Sequence, residues 1–257
     1  MTVAVLPSTP SFRLGGKRAL VTGAGRGLGV AAAAALAEAG AHVVLAARSG
    51  DEIGAVSEAI RTAGGSAEAL ILDVTDLGRL EATLAGQQPF DILFNNAGTN
   101  RPKPLWEVTE EDYDAVLDLN LKAAFFVARA VAKSMIGKGI KGSLIHMGSQ
   151  MGHVGGPNRS LYCASKWGLE GMNKAFALDL AAHGIRSNTI APTFIETPMT
   201  KPFFENRAFL DSVLSRIKLG RLGQVEDIMG AVVFLASDAA ALITGTSIVI
   251  DGGWTAD

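Results

Sequence analysis

Ala19-Leu20-Val21-Thr22-Gly23-Ala24-Gly25-Arg26-Gly27-Leu28-Gly29 is the stretch that decides the fold. Three residues of β type run into a glycine-rich turn, and an alanine-rich helical pattern continues through Glu38. Gly23, Gly27 and Gly29 have the spacing G-x-x-x-G-x-G. Glycines also close tight turns for packing reasons alone. With a strand before and a helix after, the same residues suit a pyrophosphate. Glycine lets the backbone come close, N–H groups point at the oxygens, and a helix N-terminus favours the negative charge.

Outward from this turn, short apolar runs alternate with helical stretches. His42 to Ala46, Ala69 to Leu72, Asp91 to Phe94, Ser143 to Met147, Ser187 to Ile190 and Ser247 to Ile250 read as further strands. Residues 51–63, 109–136, 160–182 and 225–235 read as helices. Continuous apolar strands separated by helices imply a parallel sheet covered on both faces, hence an α/β doubly wound fold of about seven strands. Residues 1–16 read as an N-terminal arm and 17–257 as a single dinucleotide-binding and catalytic domain. Residues 193–217 interrupt the alternation and read as a substrate lid.

Composition narrows the function classes. The chain has 257 residues, 48% of them hydrophobic, which excludes a disordered protein. Its formal charge of −2 offers no bulk basic field for nucleic acid. One cysteine, Cys163, excludes a disulfide framework and a cysteine zinc cluster, and with 4 histidines in no ligand spacing no metal site is expected. No apolar run reaches the ~18 residues of a membrane helix, and residues 1–13 lack the pattern of a signal peptide. The expectation is a soluble cytoplasmic protein without nucleic-acid or membrane partners.

The end of the second strand reads the ribose in such folds: an acid there binds a 2′-hydroxyl, an arginine a 2′-phosphate. Here it reads Ala46-Ala47-Arg48, and Arg26 stands inside the glycine loop. Two guanidiniums favour NADP(H) over NAD(H). Against this, both arginines can be solvated surface residues, and Asp51 or Glu52 can serve the ribose instead. Asp73 ends the third strand and can accept from an adenine amine or cap the next helix. Asn95-Asn96-Ala97-Gly98 follows the fourth strand, at a carboxyl end where ligands bind.

Tyr162 and Lys166 stand at i and i+4, on one helix face, and Ser149 lies just past the fifth strand. A free tyrosine has a pKa of about 10, too high for a base at neutral pH, and an adjacent ammonium lowers it. Ser149 then holds the oxygen of a carbonyl or carbinol, and no metal is required.

These motifs resemble the short-chain dehydrogenase/reductase family, from about Gly16 to Gly253. The T-G-x-x-x-G-x-G loop is Thr22 to Gly29, the N-N-A-G motif Asn95 to Gly98, and the Y-x-x-x-K pair Tyr162 and Lys166. The resemblance implies a Rossmann-type fold and hydride transfer between a nicotinamide cofactor and a secondary alcohol or ketone. By it, Tyr162 is the general acid/base, and Lys166 lowers its pKa and binds the nicotinamide ribose. Ser149 stabilises the substrate oxygen. Asn120 kinks its helix and holds a water in a proton relay to Lys166. Asn96, Ala97 and Gly98 shape the cofactor site, Asp73 and Val74 contact adenine, and Ile195 and Thr197 contact the carboxamide and phosphates. The family's Pro-Gly after the sixth strand is here Pro192-Thr193, a β-branched residue that stiffens or reshapes the loop.

Substrate contacts in the family come from three loops. Here these supply Gln150, Met151, Gly152 and His153; Thr99, Asn100 and Arg101; and the lid with Phe194, Met199, Phe203 and Phe204. Gln150, His153, Asn100 and Arg101 suit hydroxyls or a carboxylate, whereas the lid aromatics suit an apolar pocket or plain packing. The chain resembles family members acting on sugar acids and polyols, and its ending also resembles ketoacyl-carrier-protein reductases. The same fold can also serve a reductase of bulky ketones or a non-catalytic nucleotide-binding sensor. A sensor would have no need of Asn120, Ser149, Tyr162 and Lys166 together. By resemblance, the chain is expected to form a homotetramer through helices 109–136 and 160–182 and the last strand; Ala175, Phe176 and Leu180 suit such a contact and equally an ordinary buried face.

Overall fold

The computed structural model describes residues 5–256. In chain order its elements are β1 (Arg18–Thr22), α1 (Leu28–Glu38), β2 (His42–Ala47), α2 (Gly50–Thr62), β3 (Ser66–Ile71), α3 (Leu77–Ala85) and β4 (Ile92–Asn95). Then follow α4 (Glu110–Leu117), α5 (Ala124–Lys138), β5 (Ser143–Met147), α6 (Ser160–Ala181) and β6 (Arg186–Pro192). The chain closes with α7 (Lys201–Phe204), α8 (Arg207–Leu214), α9 (Met229–Ala236) and β7 (Ser247–Ile250). One seven-stranded sheet has the order β3-β2-β1-β4-β5-β6-β7. Every pairing is parallel.

Strand periodicity sorts the core into two layers. Leu20, Val44, Leu93 and Leu144 face Leu80 and Leu84 of α3 and Val127 and Val131 of α5. Their neighbours Val21, Val43, Leu45 and Ile145 face Ala32, Ala33 and Leu36 of α1 and Val232 and Leu235 of α9. Burying each large side chain stabilises the fold by about 1.5–3 kcal/mol. Both faces are covered, so the polar side chains of the inner strands β5 and β6, such as His146 and Ser187, are buried as well. The edge strand β3 is buried only at Ala67 and reads exposed at Ser66, Ala69 and Ile71.

Several elements depart from the sequence reading. The helix expected over 109–136 is broken: a π-helical turn, Asp118–Ala123, separates α4 from α5. Helix α3 went unread because it is short and shows only Leu80 and Leu84 as buried apolar positions. Residues 193–217 are not irregular throughout, since they carry α7 and α8. The helix expected over 225–235 begins as a 3-10 turn, Val225–Ile228. The core also reaches into the expected arm: Leu14 is buried and its N–H donates to Ala39 O at 2.8 Å. Residues 1–4 and 257 lie outside the described residues.

Candidate active site

The chain reverses direction across the sheet between β1 and β4, which opens a crevice at the carboxyl ends of the strands. The glycine loop lines it. Gly23 and Gly27 have φ of 62° and 57°, in the left-handed region that favours glycine. A Cβ at Gly23 would stand 3.0 Å from Ala97 Cα, and one at Gly29 would overlap the Gly23 carbonyl. Asn96 locks this loop from across the crevice. Its Nδ2 donates to Thr22 O at 3.0 Å and Gly23 O at 3.2 Å. Thr22 Oγ1 in turn accepts from the Asn96 and Ala97 N–H groups at 2.9 and 3.1 Å. Gly98 packs against Asn120, whose Oδ1 a Cβ there would meet at 3.2 Å.

Helix α1 starts at Leu28 behind Gly27, with no side-chain cap and no acid in its first turn. Its leading N–H groups are left to solvent or to an anion. Arg26 and Arg48 are both exposed, and neither side chain makes an ion pair or hydrogen bond among the described residues. Arg48 acts electrostatically on Asp73. Asp73 is not a helix cap: its Oδ1 accepts from the Thr75 hydroxyl at 2.7 Å and the Thr75 N–H at 2.9 Å, while Asp76 caps α3. The Thr75 hydroxyl bond holds the Asp73 carboxyl below its ordinary range. The Val74 side chain is buried in the core. Glu52 reaches back from α2 until its Oε2 lies 2.6 Å from where a Gly25 Cβ would stand.

At the far end, the Thr193 N–H extends the pairing of β6 with β7 by donating to Ile250 O at 3.0 Å. The stiffened loop is then pinned by a bridge between Ile195 and Gly223 and by the Thr197–Thr200 pair, N to Oγ1 2.9 Å. Pro192 and Ile195 are buried. The Thr193 hydroxyl is buried without a hydrogen-bond partner, as is the Gln150 Nε2. An orphaned buried polar atom costs about 1–3 kcal/mol until a ligand satisfies it. The bare helix terminus, the glycine cradle and this orphaned hydroxyl fit a nicotinamide dinucleotide laid from Gly23 to Thr193.

Between these ends stands Tyr162, near the start of α6. Tyr162 is half-buried beside Ser149, whose Oγ accepts from the Met151 N–H at 3.1 Å. Lys166 is buried, and its Nζ donates to Met147 O at 2.6 Å and lies 5.6 Å from the Tyr162 ring centroid. Burial lowers the Lys166 pKa to about 8, against the pull of Glu170. Burial raises the phenol above its ordinary value, and Ser149 and Arg159 oppose it. The Lys166 ammonium is held beside the ring by Met147 O, and the Arg159 charge also acts on the phenol.

Asn120 lies within the π-helical turn, a distortion that recurs at functional sites. Its Oδ1 accepts from the Thr99 N–H at 2.7 Å, and its Nδ2 donates to Thr99 O at 2.9 Å and Ser165 Oγ at 3.1 Å. The side-chain amide is therefore spent on Thr99 of the loop after β4 and on Ser165 of α6.

Of the substrate candidates, Asn100 has no side-chain partner among the described residues. His153 is engaged elsewhere: its Nε2 lies 2.9 Å from Ser247 Oγ and 3.7 Å from Glu170 Oε1, on the β7 side. Arg101 is held by Glu111 and Asp112, both at 3.2 Å, so its charge is already compensated. Phe194 is the hub of an aromatic cluster, with Phe204, Phe209 and Trp254 at 5.6–6.2 Å between centroids. Sequence reasoning missed Arg159, His146 and Glu170. Arg159 had a signal, since it lies three residues before Tyr162 and so on the same helix face. The two buried groups on the sheet side had none.

The family model that matches, described as enoyl-(acyl carrier protein) reductase, spans residues 23–255. The chain belongs to the short-chain dehydrogenase/reductase family. It is 37% identical to L-xylulose reductase of Bos taurus, across 95% of this chain and 99% of the relative. It is also 37% identical to gluconate 5-dehydrogenase of Gluconobacter oxydans, across 95% and 96%. A crystal structure of gluconate 5-dehydrogenase from Burkholderia cenocepacia, in complex with NADP and tartrate, superposes with a TM-score of 0.92 at 36% identity, covering 96% of this chain and 98% of that one. This short-chain dehydrogenase/reductase is accordingly an oxidoreductase that uses a nicotinamide cofactor and acts on a CH–OH group. No described helix is long and apolar enough to cross a membrane.

Proposed function

We propose that this enzyme interconverts a secondary hydroxyl and a ketone on a small sugar acid or polyol, with NADP(H) as the preferred cofactor. The observation that carries the reading is Tyr162, half-buried with Ser149 and Lys166 beside it, opposite a glycine cradle. The dinucleotide, when bound, supplies or accepts the hydride. Gly23, Gly25, Gly27, Leu28 and Gly29 leave room for its phosphates and present N–H groups to them. Thr193, Ile195 and Thr197 would flank its nicotinamide end.

Burial keeps the Tyr162 phenol protonated at neutral pH. In the reducing direction it is a general acid that gives its proton to the carbonyl oxygen, and Ser149 holds that oxygen by a hydrogen bond. In the oxidising direction Tyr162 must first lose its proton, so oxidation gains with rising pH. Lys166 and Asn120 are the groups that would return the proton through water.

The NADP preference is supported by Arg26 and Arg48, two exposed cations without partners at the ribose end. Assembly as a homotetramer is supported by apolar side chains left in solvent on α5 and α6: Phe125, Ile136, Trp167 and Leu178. A cytoplasmic location accords with the free thiol Cys163.

The test is NADPH consumption against keto sugar acids, ketoses, acetoacetyl thioesters and cyclic ketones. Tyr162→Phe should lower turnover by ~10²–10⁴ while leaving cofactor affinity close to wild type. Wild-type rates in that variant would sink the mechanism.

A further inference from the structure

Arg159 stands at the N-cap position of α6, where its side chain makes no cap bond and no acid follows in the first turn. A cation is the wrong sign for a helix N-terminus, so helix stability does not explain it. Its guanidinium lies over two rings, 5.7 Å from the Phe194 centroid and 5.5 Å from Phe203. Its stem passes Gly156, where a Cβ would meet Arg159 Cγ at 3.4 Å. The preceding residue, Asn158, holds a left-handed φ of 58°, and its carbonyl accepts from the Lys103 N–H at 3.2 Å. The loop thus fixes Arg159 between the lid and Tyr162, one helical turn away.

This half-buried guanidinium has no carboxylate partner among the described residues. Arg101 and Lys103, by contrast, are compensated by Asp112. Partial burial without an anion lowers the pKa of Arg159, and its charge acts on the Tyr162 phenol. A desolvated guanidinium stacked on rings still offers its donor edge, a geometry that matches a carboxylate through two parallel hydrogen bonds.

We infer that Arg159 is the residue that recognises a substrate carboxylate, and that the substrate is an anionic hydroxy or keto acid rather than a neutral polyol. This rests on the function proposed above and selects within it. The carboxylate would complete the charge pair, and the two phenylalanines would exclude water from it.

Tartrate and threitol, a matched four-carbon pair that differs in charge, are suitable probes. Each is titrated by calorimetry into wild type, Arg159→Gln and Arg159→Lys, all saturated with NADP. Charge-assisted hydrogen bonds imply a tartrate preference of about 10- to 100-fold in wild type. That preference should fall below about 3-fold in Arg159→Gln and survive in part in Arg159→Lys. A residue that only props the lid would weaken both ligands equally, and that result overturns the inference. So does an undiminished preference in Arg159→Gln, or none in wild type. The readout is binding, so it stands apart from turnover. Tyr162-dependent reduction with an unaltered tartrate preference would keep the proposed function and remove Arg159. Tartrate recognition lost in Arg159→Gln, in a protein without turnover, would do the reverse.

Discussion

Lowering the pH from 7 to 5 should destabilise this protein through one buried imidazole, His146 on β5. The ring is fully enclosed. Its Nδ1 lies 3.4 Å from Asn95 Nδ2, which is a donor, so Nδ1 is the acceptor nitrogen. Its Nε2 lies 3.3 Å from Ser187 Oγ, which itself donates to Asn173 Oδ1 at 2.8 Å. Both nitrogens are thus matched in the neutral ring, and a second proton would face an N–H. Burial, reinforced by the Lys166 ammonium, lowers the pKa from 6.5 to about 4. The sign follows from that depression. Above pH 6.5 folded and unfolded chains both hold the ring neutral. Between 6.5 and 4 only the unfolded chain takes the proton, so stability is lost as pH falls. The loss is about 2 kcal/mol at pH 5 and about 3 kcal/mol once both forms are protonated.

The assay is denaturant unfolding at pH 7 and pH 5, at fixed protein concentration, for wild type and His146→Gln. Asp112 and Asp227 are held low by Lys103 and Arg221 respectively and titrate below this window. Other carboxylates contribute equally to both proteins and cancel in the difference. Wild type should lose about 2 kcal/mol more than the variant between the two pH values. Equal losses would refute the assignment of a neutral, matched imidazole.

Replacing Arg26 and Arg48 together by Ala should raise the KM for NADPH about 10-fold and leave that for NADH almost unchanged, since charged hydrogen bonds to a 2′-phosphate are lost. Steady-state kinetics with both cofactors checks this, and an unaltered ratio would return the ribose to Glu52. Sedimentation should show four chains per particle, and a monomer would remove the assembly reading.

The glycine loop, the strand–helix alternation and the Tyr162–Lys166 spacing were legible because each is a local pattern. Close backbone approach demands glycine, a doubly covered sheet demands apolar runs, and a shared helix face demands four-residue spacing. The break in the long helix at Asp118–Ala123 left no such mark; it came only through the resemblance at Asn120. Its cause is tertiary, the capture of the Asn120 amide by Thr99 from another segment. His153 and Arg101 looked free in one dimension and proved engaged by Ser247 and Asp112, 94 and 11 residues away.

By itself the sequence determined the sheet, the glycine turn and the Tyr162–Lys166 pairing on one helix face. Tertiary structure decided the charges. Whether Tyr162 is raised or lowered depends on how deeply it is buried and which cation faces its oxygen. Desolvation and Coulomb interactions act through space, and the chain order does not encode them. That is why the burial that raises the Tyr162 phenol could be read only from the fold.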